Sequence, residues 1–166
     1  MTFDLSQHFP RLAVEPFMET SPIDPTYNCI AWAAGESSVW WEPHLDPVYF
    51  WPQGLPRDDY STGNYVDAFT TIGYQVCEEG DLEPGYEKIA IYEDNGDGQH
   101  ATRQLSDGRW ASKLGRNIDI EHQNADSLTG RDYGTVAVFM RRSLVVNSPN
   151  DTGNNISPVE ESPADT

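Results

Sequence analysis

The sequence predicts an α+β domain in which short N-terminal helices pack on an antiparallel sheet of about five strands. Three observations lead there. Two helix-like segments come early, one opened by Asn28-Cys29 and closed by Gly35, the other within YSTGNYVDAFTTIGY (60–74). After Gly73 the apolar period changes from helical to two. The period-two segments are joined mainly by tight turn signals, and hairpins link only antiparallel strands.

Residues 1–25 are punctuated by Pro10, Pro16, Pro22 and Pro25 and hold no helical period, so they read as an extended lead-in that wraps the domain. In the helix that follows, Ile30, Ala33 and Ala34 share a face and Gly35 supplies the stop. SSVWWEPHLDPVYFWPQGLP (37–56) carries three of the five tryptophans and four prolines. It is neither regular helix nor central strand, and reads as a long ordered loop with aromatic anchors. The second helix has Tyr65, Val66, Phe69 and Ile72 as its apolar stripe, Ser61 or Thr62 as N-cap and Gly73 at its end. Candidate strands follow at 74–79, 87–94, 99–105, 109–115, 118–122 and 133–142. NGDG (95–98) and SDG (106–108) are the turns. From about Val146 the chain is rich in Ser, Pro, Asn, Asp and Glu and has no aromatic residue. The expectation is one domain over 1–145 and a disordered acidic tail over 146–166.

Charge limits the partners. Asp and Glu number 27 against 10 Lys and Arg, for a formal net charge of -17. Nucleic acid and anionic membranes need basic patches, so neither is expected. No stretch approaches the ~20 apolar residues of a membrane span. The N-terminal residues show no export-signal pattern, and two cysteines do not make a disulfide framework. A cytoplasmic location is expected, with a single Cys29–Cys77 bridge left open. No cofactor and no metal are expected. EDNGDGQ lacks the ligand order of a calcium loop, the His and Cys residues lack zinc spacing, and no phosphate loop is present.

Chemistry concentrates on Cys29. A thiol nucleophile needs a partner to accept its proton and a third group to orient that partner. His100, just after a turn and near the start of a strand, is placed to be the partner. Ser112 lies across the SDG turn and is the candidate third member, with Asp119 and His122 as rivals. Cys77 is flanked by acids and reads as structural. Trp40, Trp41, Tyr49, Phe50 and Trp51 form either a ligand-facing platform or a set of anchors.

YNCIAWAAG, HATRQLSDGRWASKLG and DIEH resemble the papain-like cysteine-hydrolase superfamily, especially its NlpC-type and CHAP-type branches. The resemblance is closest to small bacterial proteins with an Asn-Cys helix and a Ser-Lys-x-Gly strand, and it spans roughly residues 27–140. It implies a papain-like, NlpC-type fold, with Cys29 as nucleophile and His100 as general base. Ser112 falls at the third position, where that superfamily more often has His, Asn, Asp or Glu. The Cys29 N–H and the Asn28 region become candidates for oxyanion stabilisation. Trp40, Trp41, Trp51 and Trp110 become candidates for substrate binding. The expected function is a thiol hydrolase or acyltransferase acting on an amide, isopeptide or thioester bond. Its substrate is a protein or peptide, and the acidic surface favours a basic one. The alternative is an inactive scaffold serving as an acidic binding module, such as an inhibitor, an immunity protein or a phage modulator.

Overall fold

The structure, a computed structural model, describes residues 5–114 and 117–144. The expected acidic tail lies outside the described residues. In chain order the elements are helix α1 (Leu5–His8), a 3₁₀ turn (Pro10–Ala13), strand β1 (Phe17–Ser21), and helices α2 (Cys29–Ala33) and α3 (Thr62–Thr70). Strands β2 (Gln75–Cys77), β3 (Tyr86–Asp94), β4 (Asp97–Gln104), β5 (Trp110–Lys113) and β6 (Asp119–His122) follow. A second 3₁₀ turn (Ala125–Leu128) and strand β7 (Thr135–Ser143) complete the set.

The strands form one sheet in the order β1-β6-β5-β4-β3-β7-β2, and every neighbouring pair is antiparallel. The expected sheet of about five strands with packed N-terminal helices, papain-like and NlpC-type, is therefore corrected. Among the described residues seven strands dominate, and the longest helix has nine residues. The lead-in explains much of the difference. Pro10 opens a 3₁₀ turn, where its missing N–H costs nothing, and Phe17–Ser21 pairs with β6 at one edge of the sheet. Every residue from Phe17 to Thr20 is exposed, so β1 has no inside-outside alternation for a sequence reading to find.

The turns follow their chemistry. Asn95 and Gly96 both have positive φ, 54° and 85°, as the two-residue turn between β3 and β4 requires. Ser61 caps α3, its hydroxyl accepting from Asn64 N at 3.4 Å. Ser61→Ala should cost about 1 kcal/mol, read as a lower urea midpoint at unchanged m-value.

Both sheet faces are covered. Ile89, Ile91, Ala101 and Met140 pack with residues of α2 and α3 and with Trp41 and Trp51. Tyr92 and Ile120 pack with Leu5, Phe9 and Leu12 of the lead-in and with Leu128. Residues 89–92 of β3 are accordingly buried without interruption. Near the site the ladders are irregular. The β3–β4 register shifts after Tyr92↔His100, leaving Gln99 as an extra residue, as in a bulge. The β4–β5 ladder pairs only Arg103↔Ala111 and Gln104↔Trp110. From Thr102 back to His100, side chains link the two strands instead. Among the described residues no helix is long and apolar enough to cross a membrane.

Candidate active site

Asn28 sets the position of Cys29. Its Oδ1 accepts from Ala31 N (3.2 Å), capping α2, and from Trp41 N (3.0 Å). Its Nδ2 donates to Trp41 O at 2.7 Å. One buried amide thus ties the front of α2 to the aromatic loop. The Asn28 side chain is thus committed to positioning, and Asn28 also lines the cavity that holds Cys29.

The Cys29 thiol is buried, and burial pushes its pKa up to about 11. Nearby backbone N–H groups of Ala101, Ile30 and Cys29 oppose that rise, while the charge of Glu42 adds to it. Burial wins, so the sulfur is a thiol at neutral pH. The sulfur therefore lies against the peptide segment that begins at His100. Cys29 and Cys77 are both free thiols.

His100 is fully buried. Its ring stacks on Tyr133 at 4.1 Å and 6°, and meets Tyr92 edge-on at 5.4 Å. Burial, then the proximity of His122, holds its pKa well below the ordinary imidazole value. Its Nε2 is 3.0 Å from Ser112 Oγ. Its Nδ1 is buried with no hydrogen-bond partner among the described residues.

Proton bookkeeping in this network assigns the tautomers. His122 Nδ1 lies 2.8 Å from Asn124 O, which only accepts, so Nδ1 carries the hydrogen. Burial lowers the His122 pKa to about 4, so at neutral pH its Nε2 offers a lone pair. Thr102 Oγ1 donates to Ala111 O at 2.9 Å. Ser112 Oγ lies 2.8 Å from both His122 Nε2 and Thr102 Oγ1, and its single hydrogen goes to one of them. Ser112 therefore accepts from His100. His100 carries its hydrogen on Nε2, and Nδ1 keeps a free lone pair.

The structure joins His100, Ser112 and His122 in one hydrogen-bonded cluster and places Tyr133 both on the His100 ring and in the lining around Cys29. It shows no hydrogen bond between Cys29 and His100 among the described residues, and gives Asp119 different work. Asp119 accepts from Tyr27 OH at 3.0 Å and pairs across the strands with Lys113. Lys113 lies over the Tyr27 ring at 4.8 Å and donates to the carbonyls of Asp24 and Asn117. No hydrogen bond joins Asp119 to His100.

A cavity of about 340 Å³ opens on Cys29, and Trp40, Trp41, Glu42, Tyr60, Tyr65 and Tyr133 line much of it. Trp51 is instead a core anchor, its ring edge-on to Tyr65 at 5.3 Å. Trp110 packs on Phe139 and borders a different cavity. Neither of these two tryptophans expected at substrate lines the Cys29 cavity. A larger cavity, about 540 Å³, lies at β2 among acidic residues, Lys88 and Arg141. It contains Cys77 but none of the other candidates, and Glu83 there pairs with both Lys88 and Arg141. The described residues hold no cluster of three or more His, Cys, Asp or Glu suited to a metal ion.

Sequence reasoning missed Thr102, Glu42 and Tyr133. Thr102 was within reach, because it stands two residues after His100 on a strand and such residues share a face. Tyr133 gave no signal. It lies in a turn closed by backbone hydrogen bonds between Gly130 and Gly134, far along the chain from His100.

No curated protein and no solved structure matches this chain. A family model described as "Domain of unknown function (DUF7689)" matches residues 18–141, more than half of the chain, and so includes Cys29, His100, Ser112 and His122. The chain belongs to that family.

Proposed function

We propose that the protein is a thiol-dependent hydrolase or acyltransferase in which Cys29 attacks a carbonyl and His100 is the general base. The observation that carries this reading is the setting of His100, with Nε2 3.0 Å from Ser112 Oγ and Nδ1 without a hydrogen-bond partner among the described residues. Ser112 takes the Nε2 hydrogen and leaves a lone pair on Nδ1, beside a segment whose next N–H faces the Cys29 sulfur. The sequence resemblance to Cys–His hydrolase motifs supports the same chemistry.

The resting pair is neutral, a thiol and an imidazole, so the proton moves during attack. The Cys29 S–H proton passes to His100 Nδ1 as the S–C bond forms. The C–N bond of an amide, or the C–S bond of a thioester, then breaks. His100 returns the proton to the leaving amine or thiol. Water or an amine attacks the resulting thioester, with His100 again taking the proton, and Cys29 is released as the thiol. Ser112 positions His100, and the Cys29 N–H is the oxyanion donor. The substrate is a protein or peptide. A cytoplasmic location belongs to the same proposal, since two free thiols suit a reducing compartment.

One observation favours the second reading, an inactive binding module: the high thiol pKa together with complete burial of His100 under Tyr133. Acylation separates the two. With p-nitrophenyl acetate at pH 7.5, roughly mid-range for a neutral pair, we expect a stoichiometric acetyl adduct on Cys29 by intact and peptide mass spectrometry. His100→Ala should slow its formation about 100-fold, with Ser112→Ala intermediate and Cys29→Ser silent. Acylation that ignores His100, or none at Cys29 while the circular dichroism stays native, selects the binding module.

A further inference from the structure

We infer that the Cys29 cavity selects substrates carrying a cation, an ammonium or a guanidinium, next to the bond attacked. The inference deepens the hydrolase reading and takes the Cys29 nucleophile from it. The cavity lining supplies the argument. Two carboxylates, Glu42 and Asp97, line it together with Cys29, and among the described residues no Lys, Arg or His does. Glu42 is held in place by Trp40 Nε1 (2.8 Å) and Tyr60 OH (2.6 Å), so its charge is aimed rather than swept about by a free side chain. That charge reaches the sulfur, the Tyr60 phenol and the Tyr65 phenol. Asp97, at the start of β4, makes no side-chain hydrogen bond or ion pair among the described residues. Trp40, Trp41, Tyr60, Tyr65 and Tyr133 supply aromatic walls, and aromatic faces attract cations.

Glycine makes the shape. A Cβ at Gly98 would stand 2.5 Å from the Tyr65 ring, so the strand can lie against that wall only with glycine there. The cavity is therefore an aromatic box with negative charge and a thiol at one side. A neutral or anionic group gains little there, whereas a cation meets both carboxylates and several rings. Binding a cation also offsets the charge of Glu42 at the sulfur. The right substrate thus eases thiolate formation when it arrives. The net charge of -17 adds long-range steering of the same sign.

Charged thiol reagents test this directly, because they read the charge of the cavity without needing a turnover substrate. Methanethiosulfonates carrying aminoethyl, methyl or sulfonatoethyl groups each form a disulfide with Cys29. The thiol proton leaves, the new S–S bond forms, and methanesulfinate departs. Rates at Cys29 and Cys77 are followed separately by peptide mass spectrometry and normalised to a free small thiol. Cys77 lies with Glu78, Glu79 and Asp81 but also with Lys88 and Arg141, so it serves as a second thiol on the same acidic molecule in a mixed-charge setting.

We expect the aminoethyl-to-sulfonatoethyl rate ratio at Cys29 to exceed that at Cys77 about tenfold, as a charge held within a few ångströms requires. Glu42→Gln and Asp97→Asn should each lower the ratio severalfold. Glu42→Gln should leave the methyl reagent's rate at Cys29 unchanged or faster, because a charge that opposes the thiolate is gone. A Cys29 ratio equal to that of Cys77, or one indifferent to both substitutions, overturns the inference. So does a Cys29 that reacts with none of the three reagents in the folded protein. His100→Ala slows all three reagents together if the catalytic reading holds and leaves the ratio intact. Loss of the ratio and loss of the His100 effect are therefore separate results.

Discussion

Asn28→Ala should destabilise the fold by about 3 kcal/mol and release Cys29 from its position. Three buried hydrogen bonds depend on this one amide, to Ala31 N, Trp41 N and Trp41 O. Truncation leaves each partner unsatisfied, at about 1 kcal/mol or more apiece, and removes the N-cap of a five-residue helix that has little else to start it. Asn28→Asp discriminates further. It keeps the acceptor but leaves Trp41 O without a donor and adds a buried charge beside Glu42. It should therefore be as destabilising as Asn28→Ala at pH 7 and less so at acid pH. Urea denaturation checks the energies, and the alkylation rate of Cys29 relative to Cys77 checks the position. If Asn28→Ala loses less than about 1 kcal/mol, the clamp between α2 and the aromatic loop is not structural.

The second large effect is acid destabilisation from the two buried imidazoles. Both have folded pKa values below their ordinary ones, His122 at about 4 and His100 well below 6.5. The sign follows from linkage. Above about pH 6.5 each histidine is neutral in both states and the full stability is present. As pH falls, the unfolded chain takes up protons that the folded chain refuses, and stability drops until the folded pKa is reached. His122 alone should cost about 2–3 kcal/mol between pH 7 and 4.5. Burial sets the direction. The Asn124 carbonyl and Glu15 favour the protonated form, whereas Arg109 opposes it. Protonation would also put a hydrogen on Nε2, which faces Ser112 Oγ and Thr102 Oγ1, and disturb the hydrogen-bond network around His100. His122→Gln should remove most of this loss, while carboxylates remote from His122 titrate alike in both proteins. Equal pH dependence in wild type and His122→Gln would sink the assignment.

How far the site was legible depends on the distance over which its causes act. Asn28, Cys29 and Gly35 could be read together because capping and termination are local, and the NGDG turn could be read because Asn95 and Gly96 need positive φ. The His100–Ser112 pairing was half legible. The SDG turn made the two strands neighbours, but the contact follows from how β4 and β5 part after Arg103. Asp119 looked as good a partner as Ser112 in one dimension. In three it faces Tyr27 and Lys113, because a one-residue step along β6 turns a side chain to the other face. The lead-in was misread because an exposed edge strand has no alternation and Pro10 only looks like a breaker.

The sequence by itself determined the hairpins, the two capped helices, the strong negative charge and which thiols and imidazoles the chain holds. Each of these depends on neighbours within a few positions, or on composition alone. The tertiary structure decided that the sheet has seven strands and that His100 rests on Ser112 and is covered by Tyr133. It decided that Trp51 and Trp110 are packing residues while Trp40 and Trp41 line the cavity. It also decided that the Cys29 thiol is neutral. Those outcomes depend on burial and on pairing between distant segments, and the energy of a buried charge is set by everything packed around it.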